Sequence, residues 1–370
     1  MTNQKTWQKL HDHPEKLRTY LMREKVIDAI RLFFKKNDFN EVETPLLAQH
    51  PGMEPFLQPF VTQLDMANGQ KRRAFLLTNP EYAMKKLLVA GLPRIFQICK
   101  CFRNGEGISG QHNPEFTIME WYRANADYQD IMRDCENLFR FILAQIQSDR
   151  PSSSGNQLSS QTAERSTADL GSITYHGNKY DLTSPWERLS AAEAFAKYAD
   201  IDTETLLSPD ELLIKARQKG YTITPQTTWE EIFNQIFLNE VEPHLGQGKP
   251  TILYDYPTAL ASLAKKKASD PRFTERFEFY IAGMELGNAF SELTDPDEQE
   301  QRLLEEEKQR AQMGKTTYQH DSDFIDALRV GMPTSGGIGV GIDRIIMLFA
   351  DAATIEETLF FPIQDMFDLQ

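Results

Sequence analysis

The chain has 370 residues, 40% apolar and 25% charged, with a net charge of -14 and a pI near 5.1. That length can bury a large core in one big domain or two ordinary ones, and the acidic balance argues against a surface that coats a polyphosphate. Three cysteines are too few for a disulfide framework or a four-cysteine zinc site. The opening MTNQKTWQKLHDHPEKL lacks an apolar signal core, and no apolar run reaches the roughly 18 residues of a membrane span, so a soluble cytoplasmic protein is expected.

Residues 1–20 read as an N-terminal extension. From Leu21 to Phe34 the residues Val26, Ile30, Phe33 and Phe34 recur at helical spacing, and the helix yields at Asn37-Asp38 to an extended segment ending in VETPLL. Gln63 to Leu77 reads as a hairpin turning at Ala67-Asn68-Gly69, and Asn79-Pro80-Glu81 opens a helix with Tyr82, Met84, Leu87 and Leu88, Pro80 suiting its first turn. Ile95, Phe96, Ile98, Cys99 and Cys101 predict a strand, the cysteines as packing residues, and Phe116, Ile118, Trp121 and Tyr122 predict its returning partner. FRNGEGISGQHNPEFTIMEWYR therefore reads as a hairpin with a charged, glycine-rich tip.

The segment 149–172, with SSSGNQLSSQ and TAERST, has almost no large apolar residue and reads as a flexible surface insertion. Within 173–250 a small helical region is expected: one helix starts at Ser190, where Glu193 completes a capping box, and another carries Trp229, Ile232, Phe233, Ile236 and Phe237. Phe273 to Leu286 reads as one buried strand and Glu298 to Met313 as a charged, solvated helix. Phe324 to Val330 is a short helix stopped by Gly331 and Pro333, and TSGGIGVGIDRIIMLFAD is a glycine-rich strand feeding a helix. Its glycines miss the dinucleotide spacing, and Gly314-Lys315-Thr316 lacks the first glycine of a P-loop.

Several side chains point to nucleotide chemistry. Arg103, at a strand end, offers a planar fork of donors for phosphate, and Glu106 beside Gly107 can accept from an amine such as that of adenine. Gly336, Gly337, Gly339 and Gly341 let a backbone approach a flat ligand, with Arg344 on the helix that follows. Glu285 and Glu292 stand an odd number of positions apart, so a straight strand throws them to opposite faces; a bend at Gly287-Asn288 would join them around Mg²⁺. The competing readings are a surface hairpin, a solvated acidic strand end and, for His112, a hydrogen-bonded turn residue.

Together these segments resemble the three signature motifs of class II aminoacyl-tRNA synthetases in their lysyl branch: VETPLL the end of motif 1, FRNGEGISGQHNPEFTIMEWY motif 2 and GIGVGIDR motif 3, in order from about Leu21 to Leu359. The fold this implies is α+β, an antiparallel sheet flanked by helices with a small helical insertion; the core is expected over 21–148 and 251–370. Motif 1 comes so early that no anticodon-reading barrel is expected before it. That arrangement, with NPEYAMKKLLVAGLPRIFQICKCFRN and DYPTALASLA, is similar to the elongation factor P lysine ligase family, which attaches (R)-β-lysine to a lysine side chain of that factor.

The resemblance implies ATP and Mg²⁺, with Arg103, Asn104, Glu106, His112, Asn113, Phe116, Glu285, Leu286, Gly341 and Arg344 about the nucleotide. It implies Glu285 and Glu292 as metal ligands, and Arg103, Glu285, Glu292 and Arg344 as the catalytic set. Lysine or (R)-β-lysine is then expected against Asn79, Pro80, Glu81, Glu120, Tyr122, Asn288, Phe290, Glu292 and Gly339. The implied partners are elongation factor P as acceptor and a second copy of the chain, with neither tRNA nor membrane. Two positions depart from the pattern: Gly105 interrupts the usual RNE of motif 2, and Gly339 stands where those ligases commonly carry alanine and the tRNA-charging enzymes glycine. The choice between α- and β-lysine therefore stays open. The alternatives are a truncated lysyl-tRNA synthetase and a non-catalytic lysine-binding paralogue.

Overall fold

In the strand Glu115–Ala124, Met119 and Trp121 enter the core while Glu120 and Tyr122 face a cavity, because successive side chains of a strand alternate. Trp121 is fully buried, 5.3 Å from Phe34, whose ring stacks on Phe96 at 4.5 Å. This alternation, repeated across neighbouring strands, gives the sheet an apolar face and a polar one. The computed structural model describes residues 4–107, 109–148, 171–183 and 185–367. The Ser-rich segment 149–170 lies outside the described residues.

The main sheet has eight strands in the order Asn40–Glu41, Arg94–Phe102, Glu115–Ala124, Ser335–Gly341, Met284–Ser291, Phe273–Ile281, Thr251–Pro257 and Glu187–Ser190. The inner pairings are antiparallel and the two edge strands pair parallel. Three helices, Leu17–Lys36, Tyr128–Ser148 and Ile342–Ala350, supply much of the core on the apolar face. The helices Glu81–Val89, Pro296–Gln312 and Ser322–Gly331 belong to a second cluster, where Tyr82 stacks on Phe324 at 4.6 Å. Among the described residues no helix is long and apolar enough to cross a membrane.

Three expectations need correction. Phe273 to Leu286 is two strands, because Ala282 and Gly283 both adopt positive φ, 56° and 71°, and close a two-residue hairpin. The 173–250 region holds more than helices: Ser172–Tyr175 pairs with Asn178–Asp181, and Glu187–Ser190 joins the main sheet before the capping box of Ser190 and Glu193 starts Ala191–Ala199. Helix Pro296–Gln312 is not simply a solvated face. Its Arg310 is fully buried, donating to the carbonyls of Glu54 and Leu57.

One polar link ties the layers together. Arg23, on the long helix, stands 2.6 Å from Asp343 and donates to Thr117 Oγ at 2.6 Å, while Asp343 accepts from the Thr117 amide at 2.8 Å. Packing is also close at Gly336, where a Cβ would stand 2.7 Å from Ile131 and 2.8 Å from the Asp127 carbonyl oxygen. Gly336→Ala is expected to cost about 1–3 kcal/mol, read as a lowered melting temperature, since backbone on an adjoining segment must move to admit it.

Candidate active site

The polar face of the sheet is floored by a strand with almost no side chains. In Ser335–Gly341, Gly337 lies between Tyr122 and Phe290, and Gly339 between Glu120 and Asn288. A methyl at Gly337 would come within 2.3 Å of the Tyr122 ring, so the floor exists only because glycine stands there. Above it is a cavity of about 300 Å³.

At one end stand two arginines. Arg103 leaves the strand Arg94–Phe102, lies over the Phe116 ring at 5.0 Å and meets Glu106 only at 3.5 Å, so its guanidinium is weakly engaged. Arg344 comes from the first turn of Ile342–Ala350; it donates to the Glu285 carbonyl at 2.6 Å and reaches His112 Nε2 at 3.0 Å. Burial, and then the charge of Arg344, lower the pKa of His112, which favours a neutral ring that accepts from the guanidinium. The extra Gly105 has φ 75°, a left-handed turn conformation open to glycine, which lets the hairpin tip absorb the additional residue. Asn113 lines the cavity, but its side chain donates to the Glu115 carbonyl and accepts from the Ile363 amide, pinning the loop.

The other end is acidic. Tyr122 donates to Glu120 at 3.0 Å, and Glu81 stands 2.6 Å from the ammonium of Lys85. Burial raises the pKa of Glu120 well above the carboxylate range, and the charge of Glu81 adds to this. Glu54 is raised for the same first reason; Asn79 donates to it at 2.7 Å.

Of the residues expected at the site, Asn79, Glu81, Arg103, Glu106, His112, Asn113, Phe116, Glu120, Tyr122, Glu285, Leu286, Asn288, Phe290, Gly339, Gly341 and Arg344 line this one cavity. Pro80, Asn104 and Glu292 do not. Pro80 precedes the first turn of its helix, and the Asn104 amide is committed to the Gln58 carbonyl at 2.7 Å. Glu292 is fully buried behind Gly337, 2.5 Å from the Lys85 ammonium.

The expected metal ligands Glu285 and Glu292 are therefore not brought together on the cavity wall. No bend occurs at Gly287-Asn288; a bulge at Leu286 shifts the alternation by one, so that Glu285 and Asn288 both reach the cavity. Glu292 is seven positions beyond Glu285, roughly 20 Å of strand, too far for one ion. The carboxylate that acts on Glu285 is Glu278, across the hairpin. Burial, then the negative charge of Glu278, lift Glu285 to about 7 against the opposing charges of Arg344, Arg276 and Arg103. A divalent cation between these carboxylates would relieve that repulsion, so the pair fits Mg²⁺, with Arg276 donating to Glu278 and to the side-chain Oδ1 of Asn288. Among the described residues no cluster of three or more His, Cys, Asp or Glu forms a fuller metal cage.

Glu278, Glu54 and Ser262 were missed in the sequence. Glu278 can be found only once the two-residue turn at Ala282-Gly283 is known, since that turn brings 278 and 285 near one another. A second cavity, about 650 Å³, shares Glu54, Ser262 and Asn288 with the first and is walled by Glu298, Arg302, Glu305 and Glu306 of the helix expected to be solvated.

The family model for class II tRNA synthetases of the D, K and N type matches residues 2–365. Among curated proteins, the chain is 37% identical over 344 residues to the lysine–tRNA ligase of Staphylococcus saprophyticus, covering 93% of this chain and 64% of that protein. It is 37% identical over 350 residues to that of Moorella thermoacetica, covering 95% and 66%. With that of Dehalococcoides mccartyi strain BAV1 the identity is 39% over 345 residues, covering 93% and 64%. The chain thus spans just under two thirds of the length of these relatives.

Glu285 sets a pH dependence. Its folded pKa of about 7 exceeds its ordinary 4.5, so the native state holds the proton more tightly than the unfolded one. Its stabilising contribution is complete below 4.5 and lost as the pH rises through 7. In calorimetry without ligand, Glu285→Gln is expected to remove a fall in stability on the order of 1–3 kcal/mol between those limits.

Proposed function

Because the chain belongs to the class II tRNA synthetase family of the D, K and N type, we propose that it is an ATP-dependent ligase. In this reading it activates lysine or (R)-β-lysine as an aminoacyl-adenylate and transfers it to a lysine side chain of elongation factor P. The observation that carries it is the division of one cavity into a cationic end, Arg103 and Arg344, and a carboxylate end, Glu81 and Glu120, with the neighbouring Glu292. The first suits a triphosphate and the second a substrate with ammonium groups.

The substrate carboxylate attacks the α-phosphorus of ATP, a P–O bond forms, and the bond to pyrophosphate breaks. Arg103 and Arg344 hold the phosphate oxygens while charge shifts to the leaving group. Mg²⁺, held by Glu285 and Glu278, would neutralise phosphate charge when bound. An acceptor amine then attacks the carbonyl carbon through its lone pair, loses a proton, and AMP departs. The amine reaches the adenylate by way of the second cavity, beside Asn288. A protein acceptor is favoured over tRNA by the net charge of -14, which repels a polyanion. A homodimer is supported by the exposed apolar residues Leu46, Leu47, Val61, Leu64 and Met66 on or beside the small sheet of Leu47–Ala48, Val61–Asp65 and Lys71–Leu76.

Charging of tRNA with α-lysine is the second reading, favoured by Gly339. A methyl there would stand 3.3 Å from Ile118 and 3.4 Å from Glu120, so glycine leaves room that alanine would take from the ligand.

ATP–pyrophosphate exchange with α- and β-lysine, followed by mass analysis of elongation factor P and of tRNA, tests the proposal. Modified factor supports it, charged tRNA alone selects the second reading, and no exchange with either isomer rejects both. Arg103→Ala and Arg344→Ala are each expected to lower exchange by about a hundredfold or more with the fold intact by circular dichroism.

A further inference from the structure

Lys85 is a buried ammonium at the edge of the proposed amino-acid pocket. It lies one helical turn after Glu81, is 1% exposed, and stands 2.6 Å from Glu81 and 2.5 Å from Oε2 of Glu292. Burial works against its charge, but Glu292 and Glu81 outweigh that and raise its pKa above the lysine range. It is therefore a fixed cation.

Glu292, 2% exposed, has no hydrogen-bond partner beyond the Lys85 ammonium. Oε2 meets the Lys85 ammonium, while Oε1 lies 2.6 Å from where a Cβ on Gly337 would be. Glu120 has the same relation to the next glycine of that face: Oε2 accepts from Tyr122, and Oε1 lies 3.4 Å from the Cβ position of Gly339. One carboxylate oxygen, that of Glu120, thus lies on the cavity wall beside the bare floor, and one, that of Glu292, is buried just behind it. Three carboxyl groups, Glu81, Glu120 and Glu292, are set against one ammonium, and burial disfavours the ionised forms of Glu120 and Glu292 unless further cations arrive. Unmatched buried charge is costly, and a ligand with two ammonium groups removes it.

Resting on the reading of this cavity as an amino-acid site, we propose that Lys85 is a positioning residue that sets amine specificity. By engaging Glu81 and one oxygen of Glu292 it holds these carboxylates in place for the ammonium groups of a diamino acid and closes the pocket behind Glu292. Without it, Glu292 would take up a proton and lose the charge that holds the second ammonium.

The test is Lys85→Met in the full chain, assayed by ATP–pyrophosphate exchange with lysine and with norleucine, which lacks the side-chain amine. The KM for lysine is expected to rise about tenfold or more while the KM for ATP changes by less than about twofold, and the preference for lysine over norleucine should shrink. Ethylammonium chloride should lower the lysine KM of the variant and not of the parent, and Lys85→Arg should keep the parent's preference. An unchanged lysine KM, or lysine and ATP KM values rising together without rescue by ethylammonium, overturns the proposal. Should the single variant not fold, Glu292→Gln supplies a background with no orphaned carboxylate. There Lys85→Met should alter the lysine KM less than about threefold, and a larger change overturns the proposal. A parent chain that exchanges with no amino acid rejects the functional reading and this inference with it; an active parent with an indifferent Lys85→Met variant rejects this inference alone.

Discussion

The active face depends on a steric vacancy in the middle of the sheet. Polar side chains from the strands on either side can converge only if the strand between them has nothing to put there, and Gly337 and Gly339 provide that. The requirement is severe at Gly337, where any Cβ would overlap the Tyr122 ring, and milder at Gly339, where the nearest atoms could give slightly. The opposite side of the same strand is conventional: Ile338 and Val340 are buried in the core. One strand therefore serves packing with one parity and ligand access with the other, and the helix that follows delivers Arg344 within its first turn.

Charge is sorted along this floor. The guanidinium end has few strong internal partners, Arg103 meeting only Glu106 at 3.5 Å, whereas the carboxylate end is buried and crowded. Burial, the first cause of the raised pKa values of Glu54, Glu120, Glu285 and Glu292, penalises their ionised forms. A site arranged in this way holds latent negative charge that cationic groups bring out.

Periodic features were readable from the chain itself. Val26, Ile30, Phe33 and Phe34 marked the long helix, the hairpin from Arg94–Phe102 to Glu115–Ala124 followed from alternation, and the ordered motifs drew most of the cavity residues together. What escaped depends on register and on contacts between distant segments. The turn at Ala282-Gly283 uses a non-glycine residue at φ 56°, which composition does not announce, and the bulge at Leu286 arises only from pairing with Phe273–Ile281. Without that register Glu292 seemed the partner of Glu285, and Glu278 went unnoticed. Lys85 carries no signal of its own in the sequence, because Glu292, more than 200 positions away, completes its surroundings.

The link through Arg23, Asp343 and Thr117 has a mechanical consequence. Asp343 immediately precedes Arg344, and Thr117 lies beside Phe116, on which Arg103 rests. The Arg344 arm is thus rooted beside, and the Phe116 ring under Arg103 adjoins a threonine held by, a single aspartate braced by the long helix. Leverage applied along that helix would reach the two arms in unison, making their spacing a property of the scaffold rather than of either loop.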